Sequence, residues 1–266
     1  MLLFEILDSI RKFDLNLSFI IFRQNIQNQI TMRQTEPIPL KPNQMYHIFS
    51  HAVENNDLFY DAENYNFFLR KWERFAKGYF QTYAFCLMPN HFHLCVQTLP
   101  QQQQSKQLAS SSKLDASLMT DASLTTKPIS VHSKQINNFL SSYVQSLNKQ
   151  RQRKGTLFRE RFGRVPVQDV GYFRDLICYI HHNPIHHFGY EEFHDWAFSS
   201  FNSFTHENQL TFLNTEIPLN RFGGKEGLKA YHKKYKEQKR FTVIEEEVQE
   251  FYCYKHTNLR QVSNLT

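Results

Sequence analysis

Residues 80–98 are FQTYAFCLMPNHFHLCVQT, two aromatic and aliphatic runs on either side of Pro89-Asn90. Runs of this composition are typical of β-strands, and a Pro-Asn pair is typical of a turn. The stretch therefore predicts two strands, residues 80–88 and 91–98, joined by a turn.

The second of these strands has two chemically different faces. Because side chains alternate along a strand, Phe92 and Leu94 point to one face and His91 and His93 to the other. Two imidazoles placed this way can hold one divalent cation if a further ligand comes from elsewhere. The chain has 13 histidines, so ordinary strand histidines are the alternative.

Three further elements frame this pair of strands. A strand is predicted from Met45 to Val53, followed by a helix that Asp61 caps and that ends near Gly78. A second helix begins near Ser133. It carries one apolar stripe, to which we assign Tyr143 as a core residue: Ile136, Phe139, Leu140, Tyr143 and Leu147.

A third helix is predicted from Asp169 to Asn183, ending at Pro184. Tyr179 and Asn183 are four residues apart and lie on one flank of its apolar stripe, with Tyr172 two turns earlier on the same flank. Facing the histidines, this helix would supply an amide oxygen suited to Mg²⁺ or Mn²⁺ and a phenol able to attack a phosphodiester. The alternative is that Tyr179 is a tyrosine at the edge of the core.

The composition indicates a folded protein whose basic charge suits a polyanionic partner, although many basic proteins bind no nucleic acid. Hydrophobic residues make up 41% of the 266 residues, and the formal charge is +6. The candidate surface for a nucleic-acid backbone consists of Lys149, Arg151, Arg153, Lys154, Arg159, Arg161 and Arg164. A solvated charged face is the alternative for each of these residues, and the neighbouring Phe158 and Phe162 are expected to pack inward.

The cysteines and the apolar runs exclude several classes of protein. The four cysteines have no CxxC spacing, which argues against a zinc site or a disulfide framework. No apolar run approaches the roughly 20 residues that cross a bilayer. We therefore expect a cytoplasmic protein with no membrane partner.

The chain divides by composition into three parts. Residues 1–31 are interpreted as an N-terminal extension, with Met32 as the alternative start. Residues 32–205 are predicted to form the catalytic domain, interrupted by a flexible Gln/Ser-rich insertion at 101–130. Residues 206–266 are predicted to form a helical C-terminal extension that includes a basic helix at about 225–240.

Four motifs occur in the order seen in one known family and span roughly residues 45–205. The chain resembles the REP-associated tyrosine transposases and related HUH single-strand transposases. The motifs are MPNHFHL at 88–94, GTLFRERF at 155–162, YIHHNPI at 179–185 and WAFSSF at 196–201. The insertion at 101–130 departs from many relatives and makes target recognition hard to transfer.

This resemblance implies an α+β fold, a ferredoxin-like sandwich whose antiparallel sheet carries helices on one face. It implies that His91, His93 and Asn183 are metal ligands and that Tyr179 is the catalytic nucleophile. The reaction would cut and rejoin single-stranded hairpin DNA through a 5′-phosphotyrosine. Relatives occur as homodimers and as monomers. An inactive hairpin-binding regulator and a metal-dependent hydrolase or nickase remain the alternatives.

Overall fold

The computed structural model describes residues 39–53, 56–100, 130–159, 162–205, 210–237, 241–249 and 251. The predicted extension at 1–31, the alternative start at Met32 and the insertion up to residue 129 lie outside the described residues, as do Arg161 and Cys253.

A four-stranded antiparallel sheet forms the centre of the fold. Its strands are β1 (Met45–His51), β2 (Phe80–Met88), β3 (His91–Thr98) and β4 (Gly163–Pro166). Their order across the sheet is β2-β3-β1-β4, and every neighbouring pair is antiparallel. With a helix after β1 and another after β3, this order is the predicted ferredoxin-like topology.

Helices α1 (Ala62–Ala76) and α2 (Val131–Gln150) cover one face of the sheet. The side chain of Asp61 accepts a hydrogen bond from the Asn64 backbone N–H at 2.9 Å, as its predicted capping role requires. The Phe68 ring of α1 lies 5.2 Å from the Phe92 ring, on the apolar face of β3. Tyr143 is fully buried and donates to the Leu58 carbonyl at 2.6 Å, which confirms its assignment to the core.

Helix α3 (Val170–Phe188) covers the opposite face, where the histidines of β3 lie. The helices predicted on one face of the sheet are α1 and α2. The prediction did not include α3 on the other face. The ring of Tyr179 on α3 lies 5.3 Å from the ring of His93. The sheet is thus buried between two helical layers, and the polar face of β3 is an interior surface.

The prediction that Pro184 ends this helix is wrong, because α3 continues to Phe188 and Gly189 caps it in the left-handed conformation. Proline removes a backbone donor and usually breaks the helix interior. Here Pro184 and the residues before it, His181 to Asn183, are buried, so tertiary packing outweighs that local preference. The side chains of His182 and Asn183 also bond the carbonyls of Cys178 and Tyr179 one turn earlier.

The remaining elements pack around β2 and α3. They are α4 (Phe201–Thr205), α5 (Glu216–Phe222), α6 (Lys225–Glu237) and α7 (residues 241–249). The indole of Trp196 donates to the Leu87 carbonyl at 2.8 Å, which attaches the WAFSSF motif to the edge strand β2. In the described residues, no helix is long and apolar enough to cross a bilayer.

Candidate metal and nucleophile site

The register between β1 and β3 brings three histidines together. His51 lies opposite His91, and the position opposite His93 is Phe49. One ring nitrogen from each of His51, His91 and His93 lies within 4.8 Å of the others, so the group could hold a metal ion. The HxH pattern predicted His91 and His93 but not His51, which follows Phe49 by two residues on the same face of β1.

Neighbouring polar groups fix the orientation of the two β3 imidazoles. His91 Nδ1 lies 2.8 Å from Asn90 Oδ1, and His91 Nε2 lies 3.2 Å from Asn183 Oδ1. His93 Nδ1 lies 2.9 Å from His47 Nε2. Partners of this kind hold a ligating imidazole in one tautomer and one orientation.

Burial keeps these imidazoles neutral, which is the form that binds a metal. Desolvation lowers the pKa of His91 and of His93 well below the usual value, and it lowers the pKa of His51 to about 4. Lone pairs are therefore available at neutral pH. The residues fit a divalent cation, with three imidazole nitrogens and the Asn183 amide oxygen as the donor set.

Helix α3 places Tyr179 and Asn183 against this group. The Tyr179 ring meets the rings of His93 and His47 edge-on, at 5.3 Å and 5.7 Å. Asn183 Nδ2 donates to the Tyr179 carbonyl at 2.8 Å, which leaves its Oδ1 directed at His91. The side chains that were predicted as ligands and nucleophile thus lie together, within one chain.

A carboxylate from the C-terminal part of the chain contacts the tyrosine. The Tyr179 hydroxyl donates to Glu245 Oε2 at 2.8 Å, and His187 Nε2 lies 3.6 Å from the same oxygen. Burial and the Glu245 charge raise the pKa of Tyr179 well above its usual value. Burial opposes ionisation of Glu245, but His187, Gln249 and Tyr179 outweigh it and lower the Glu245 pKa to about 2.

The two rival tyrosines lie in other surroundings. The Tyr172 hydroxyl donates to Glu247, also on α7, and burial raises the pKa of Tyr172 well above its usual value. Tyr143 belongs to the opposite face of the sheet, where its hydroxyl is bonded to a backbone carbonyl. Of these three phenols, Tyr179 is the one whose ring contacts a histidine of the group that could hold a metal ion.

The predicted basic surface is only partly continuous. Lys149 and Lys154 are exposed near the end of α2. The Arg151 guanidinium pairs with Asp61 at 3.1 Å and lies 4.4 Å from the centre of the Tyr60 ring. Arg153 donates to the Thr156 carbonyl at 3.2 Å. These residues share the end of α2, and two of the guanidinium groups already have protein partners.

The two arginines nearer β4 lie on different sides of the sheet. The Arg159 backbone N–H donates to the His51 carbonyl at 2.9 Å, which places Arg159 beside the histidine group. Arg164 donates to Ser133 on α2 at 2.9 Å and lies over the Phe162 ring at 4.1 Å, on the face opposite the histidines. Phe162 is buried and Phe158 packs against the core, as expected.

Comparison with known proteins agrees with the resemblance drawn from the motifs. No protein-family model matches the chain. A protein of Haemophilus influenzae named as a REP-associated tyrosine transposase is 25% identical over 156 residues, which are 58% of this chain and 78% of that protein. A solved structure described as a REP-associated tyrosine transposase bound to a REP hairpin covers 67% of this chain and 96% of its own, with a TM-score of 0.46 and 12% identity. The chain is thus similar in sequence to a REP-associated tyrosine transposase.

Proposed function

We propose that the protein is a transposase-like enzyme that cuts and rejoins single-stranded hairpin DNA through a covalent bond to Tyr179. The observation that carries this proposal is the position of the Tyr179 ring, 5.3 Å from His93 in a group of three histidines able to hold a metal ion. A tyrosine hydroxyl can form a covalent intermediate with a phosphodiester, and a divalent cation beside it would stabilise the charge that develops on the phosphate. The name of the Haemophilus influenzae relative supports the same class of reaction.

The residues divide the chemistry between them. His51, His91, His93 and Asn183 would hold a divalent cation, Mg²⁺ or Mn²⁺, which when bound polarises the scissile phosphate and offsets its developing charge. The Tyr179 oxygen attacks the phosphorus, giving a 5′-phosphotyrosine and a free 3′-hydroxyl. Attack by a different 3′-hydroxyl on that intermediate rejoins strands, and the energy of the broken phosphodiester is conserved in the tyrosyl ester.

The DNA would approach along the basic side chains nearest the site. Arg159 lies beside the histidine group, and Lys149, Arg151, Arg153 and Lys154 extend from the end of α2. Contacts of this kind go to phosphates and depend on salt. A folded hairpin or palindromic repeat is proposed as the substrate because the four motifs resemble those of the REP-associated tyrosine transposases. Arg161, in the same tract, and homodimer formation stay predictions.

The test is to trap the covalent intermediate. Purified protein would be incubated with single-stranded hairpin oligonucleotides and Mn²⁺ or Mg²⁺, and the adduct followed by denaturing electrophoresis and peptide mapping. We expect the adduct on Tyr179, its loss in Tyr179→Phe, and its loss when EDTA removes the metal. Tyr172→Phe is the matched control and should still form the adduct. An adduct in Tyr179→Phe would overturn the assignment.

The same assay separates the alternatives. Hairpin binding without an adduct in the unaltered protein would identify a DNA-binding regulator. Cleavage that leaves no covalent protein would identify a hydrolase. An adduct that resolves only at its own junction would identify a nickase, whereas joining to a second oligonucleotide supports strand transfer.

A further inference from the structure

Helix α7 lies directly over the proposed nucleophile. Glu245 accepts the hydrogen bond of the Tyr179 hydroxyl at 2.8 Å, and the Phe241 ring stacks on the Tyr179 ring at 4.5 Å. The side chain of Tyr179 is fully buried. Residues more than 60 positions apart in the sequence thus form one contact at the atom that would attack DNA.

We propose that Glu245 is the proton acceptor for Tyr179, which makes the C-terminal helix α7 part of the active site. The inference rests on the proposed function, because it concerns the attack of that phenol on DNA. A distance of 2.8 Å lies within the range in which a side chain can take a proton directly.

The other polar neighbours of Tyr179 are less suited to accept this proton. The Asn183 side chain donates to the Tyr179 backbone carbonyl at 2.8 Å, and a neutral amide is not a base. His47 Nε2 and His93 Nδ1 are hydrogen-bonded to each other at 2.9 Å, and both rings meet the Tyr179 ring edge-on, with no hydrogen bond from either imidazole to its hydroxyl in the described part of the chain. Among the described residues, Glu245 is the carboxylate hydrogen-bonded to the Tyr179 hydroxyl.

Two residues position the carboxylate. Gln249 Nε2, one turn further along α7, donates to Glu245 Oε1 at 2.7 Å. His187 Nε2 lies 3.6 Å from Oε2 and would favour a negative charge there when protonated. With Oε1 held by Gln249, Oε2 remains directed at the phenol. This arrangement fixes a base and a nucleophile in one geometry before DNA arrives.

The attack moves one proton and exchanges one phosphate ester bond for another. The Tyr179 O–H bond breaks and its proton passes to Glu245 Oε2 while the oxygen–phosphorus bond forms. The bond from phosphorus to the 3′ oxygen breaks, and that oxygen leaves with the electron pair and takes a proton from water. Glu245 releases that proton to water between the two steps, and in the rejoining step the departing tyrosine oxygen takes a proton from water through the Glu245 carboxylate.

The first experiment compares Glu245→Gln and Glu245→Asp with the unaltered full-length protein. The rate of adduct formation would be measured in single turnover, at saturating hairpin and Mn²⁺, beside hairpin affinity and thermal stability. We expect Glu245→Gln to slow the adduct by about 100-fold or more, which is a typical contribution of a general base, with hairpin affinity unchanged. Glu245→Asp should form the adduct faster than Glu245→Gln and more slowly than the unaltered protein.

Glu246→Gln is the matched control, because residue 246 is exposed on the same helix. It removes one charge from α7 and should stay within about 2-fold of the unaltered rate, as surface changes away from a site usually have small effects. An equal loss in Glu246→Gln would attribute the effect to the charge of the helix and overturn the assignment.

A second experiment separates proton removal from a structural role. Replacing Tyr179 with 3,5-difluorotyrosine makes the phenol more acidic, so its attack depends less on a base. We expect this residue to restore adduct formation in Glu245→Gln by at least tenfold. A Glu245→Gln protein as fast as the unaltered one, or faster, would mean that α7 merely covers the tyrosine. Absence of rescue would also overturn the proposal.

The proposed function and the role of Glu245 are contradicted by different results. If the unaltered protein forms no adduct with any hairpin or metal, the proposed function is wrong, and this assignment with it. If the unaltered protein forms an adduct that Tyr179→Phe abolishes and Glu245→Gln does not slow, only the role of Glu245 is wrong.

Discussion

His51 ends β1, and its ring stacks on the ring of His91 at 4.4 Å across the antiparallel pair. Its nitrogen completes the group of three within 4.8 Å. At the scale of single residues, this position distinguishes a three-imidazole site from the predicted pair with one amide. A three-imidazole site needs His51 as a ligand, whereas the predicted pair with one amide does not.

We expect His51→Ala to weaken Mn²⁺ binding by at least tenfold, because even changes to the partners of a ligand cost 10- to 100-fold. His91→Ala should have an effect of the same order. Isothermal titration of the metal-free protein would measure both. The exposed His194 supplies the control, and His194→Ala should bind the metal like the unaltered protein. Unchanged affinity in His51→Ala would leave Asn183 as the third ligand.

At the scale of elements, the pairing of β4 with β1 depends on a glycine. Gly163 lies opposite Phe49, and a methyl group at Gly163 would overlap the Phe49 ring. That ring in turn lies 6.0 Å from the His93 ring and 4.8 Å from the His47 ring. Because Gly163 has no side chain, β4 can pair with β1 without displacing the Phe49 ring from its place beside these two histidines.

Gly163→Ala should lower the free energy of unfolding by about 1–3 kcal/mol, the usual cost of overpacking a core. Urea denaturation would measure it. In a Phe49→Ala background the ring is gone, so the same glycine change should cost much less than in the unaltered protein. Equal costs in the two backgrounds would mean that the clash with Phe49 is not the cause.

The helix α3 illustrates how far local patterns reach. Its start was predicted correctly, since Asp169 accepts from the Tyr172 backbone N–H at 2.9 Å. Its end was predicted wrongly. The low helix propensity of proline applies to an isolated helix, whereas residues 176–184 of α3 are buried against the sheet and α6. The spacing of Tyr179 and Asn183 needed only the helical period, and it placed both side chains correctly on one flank.

The charge of the whole molecule bears on how it meets DNA. We expect the double change Lys149→Glu and Lys154→Glu to weaken hairpin binding and to reduce its salt dependence, because each lost phosphate contact lowers the slope by roughly 1. Fluorescence anisotropy across a salt series would measure both. Lys77→Glu is the control, because Lys77 is exposed at the C-terminal end of α1, whereas Lys149 and Lys154 lie near the end of α2. An equal loss with Lys77→Glu would indicate long-range attraction without a defined surface.

The whole molecule also buries an unusual set of neutral imidazoles. Desolvation lowers the pKa of His47 and of His232 to about 3, and that of His51 and of His182 to about 4. His232 Nε2 bonds His181 Nδ1 at 2.9 Å, so a second buried cluster lies on the α6 side of α3. These groups bind protons in the unfolded chain near pH 6.5 and remain neutral in the folded one.

We therefore expect the free energy of unfolding to fall as the pH drops from about 6.5 towards 4. The unfolded state binds more protons in this window, and each imidazole contributes up to about 1.4 kcal/mol per pH unit. Urea denaturation with EDTA at several pH values would measure it. Glu245 acts in the same direction at lower pH, since its pKa is lowered from 4.5 to about 2 and the stability this confers is lost as the pH falls through that window. Constant stability from pH 7 to 5 would contradict the burial of these histidines.

The sequence by itself determined the strands around Pro89-Asn90, the histidine pair on one face of β3, and the flank shared by Tyr179 and Asn183. Each of these follows from a period of 2 or of 3.6 within one element, and local periodicity is visible in a single chain. Only the tertiary structure decided that His51 joins the pair and that Glu245 meets the Tyr179 hydroxyl at 2.8 Å. Strand register and helix docking are settled by packing between distant segments, and no spacing in the sequence records them.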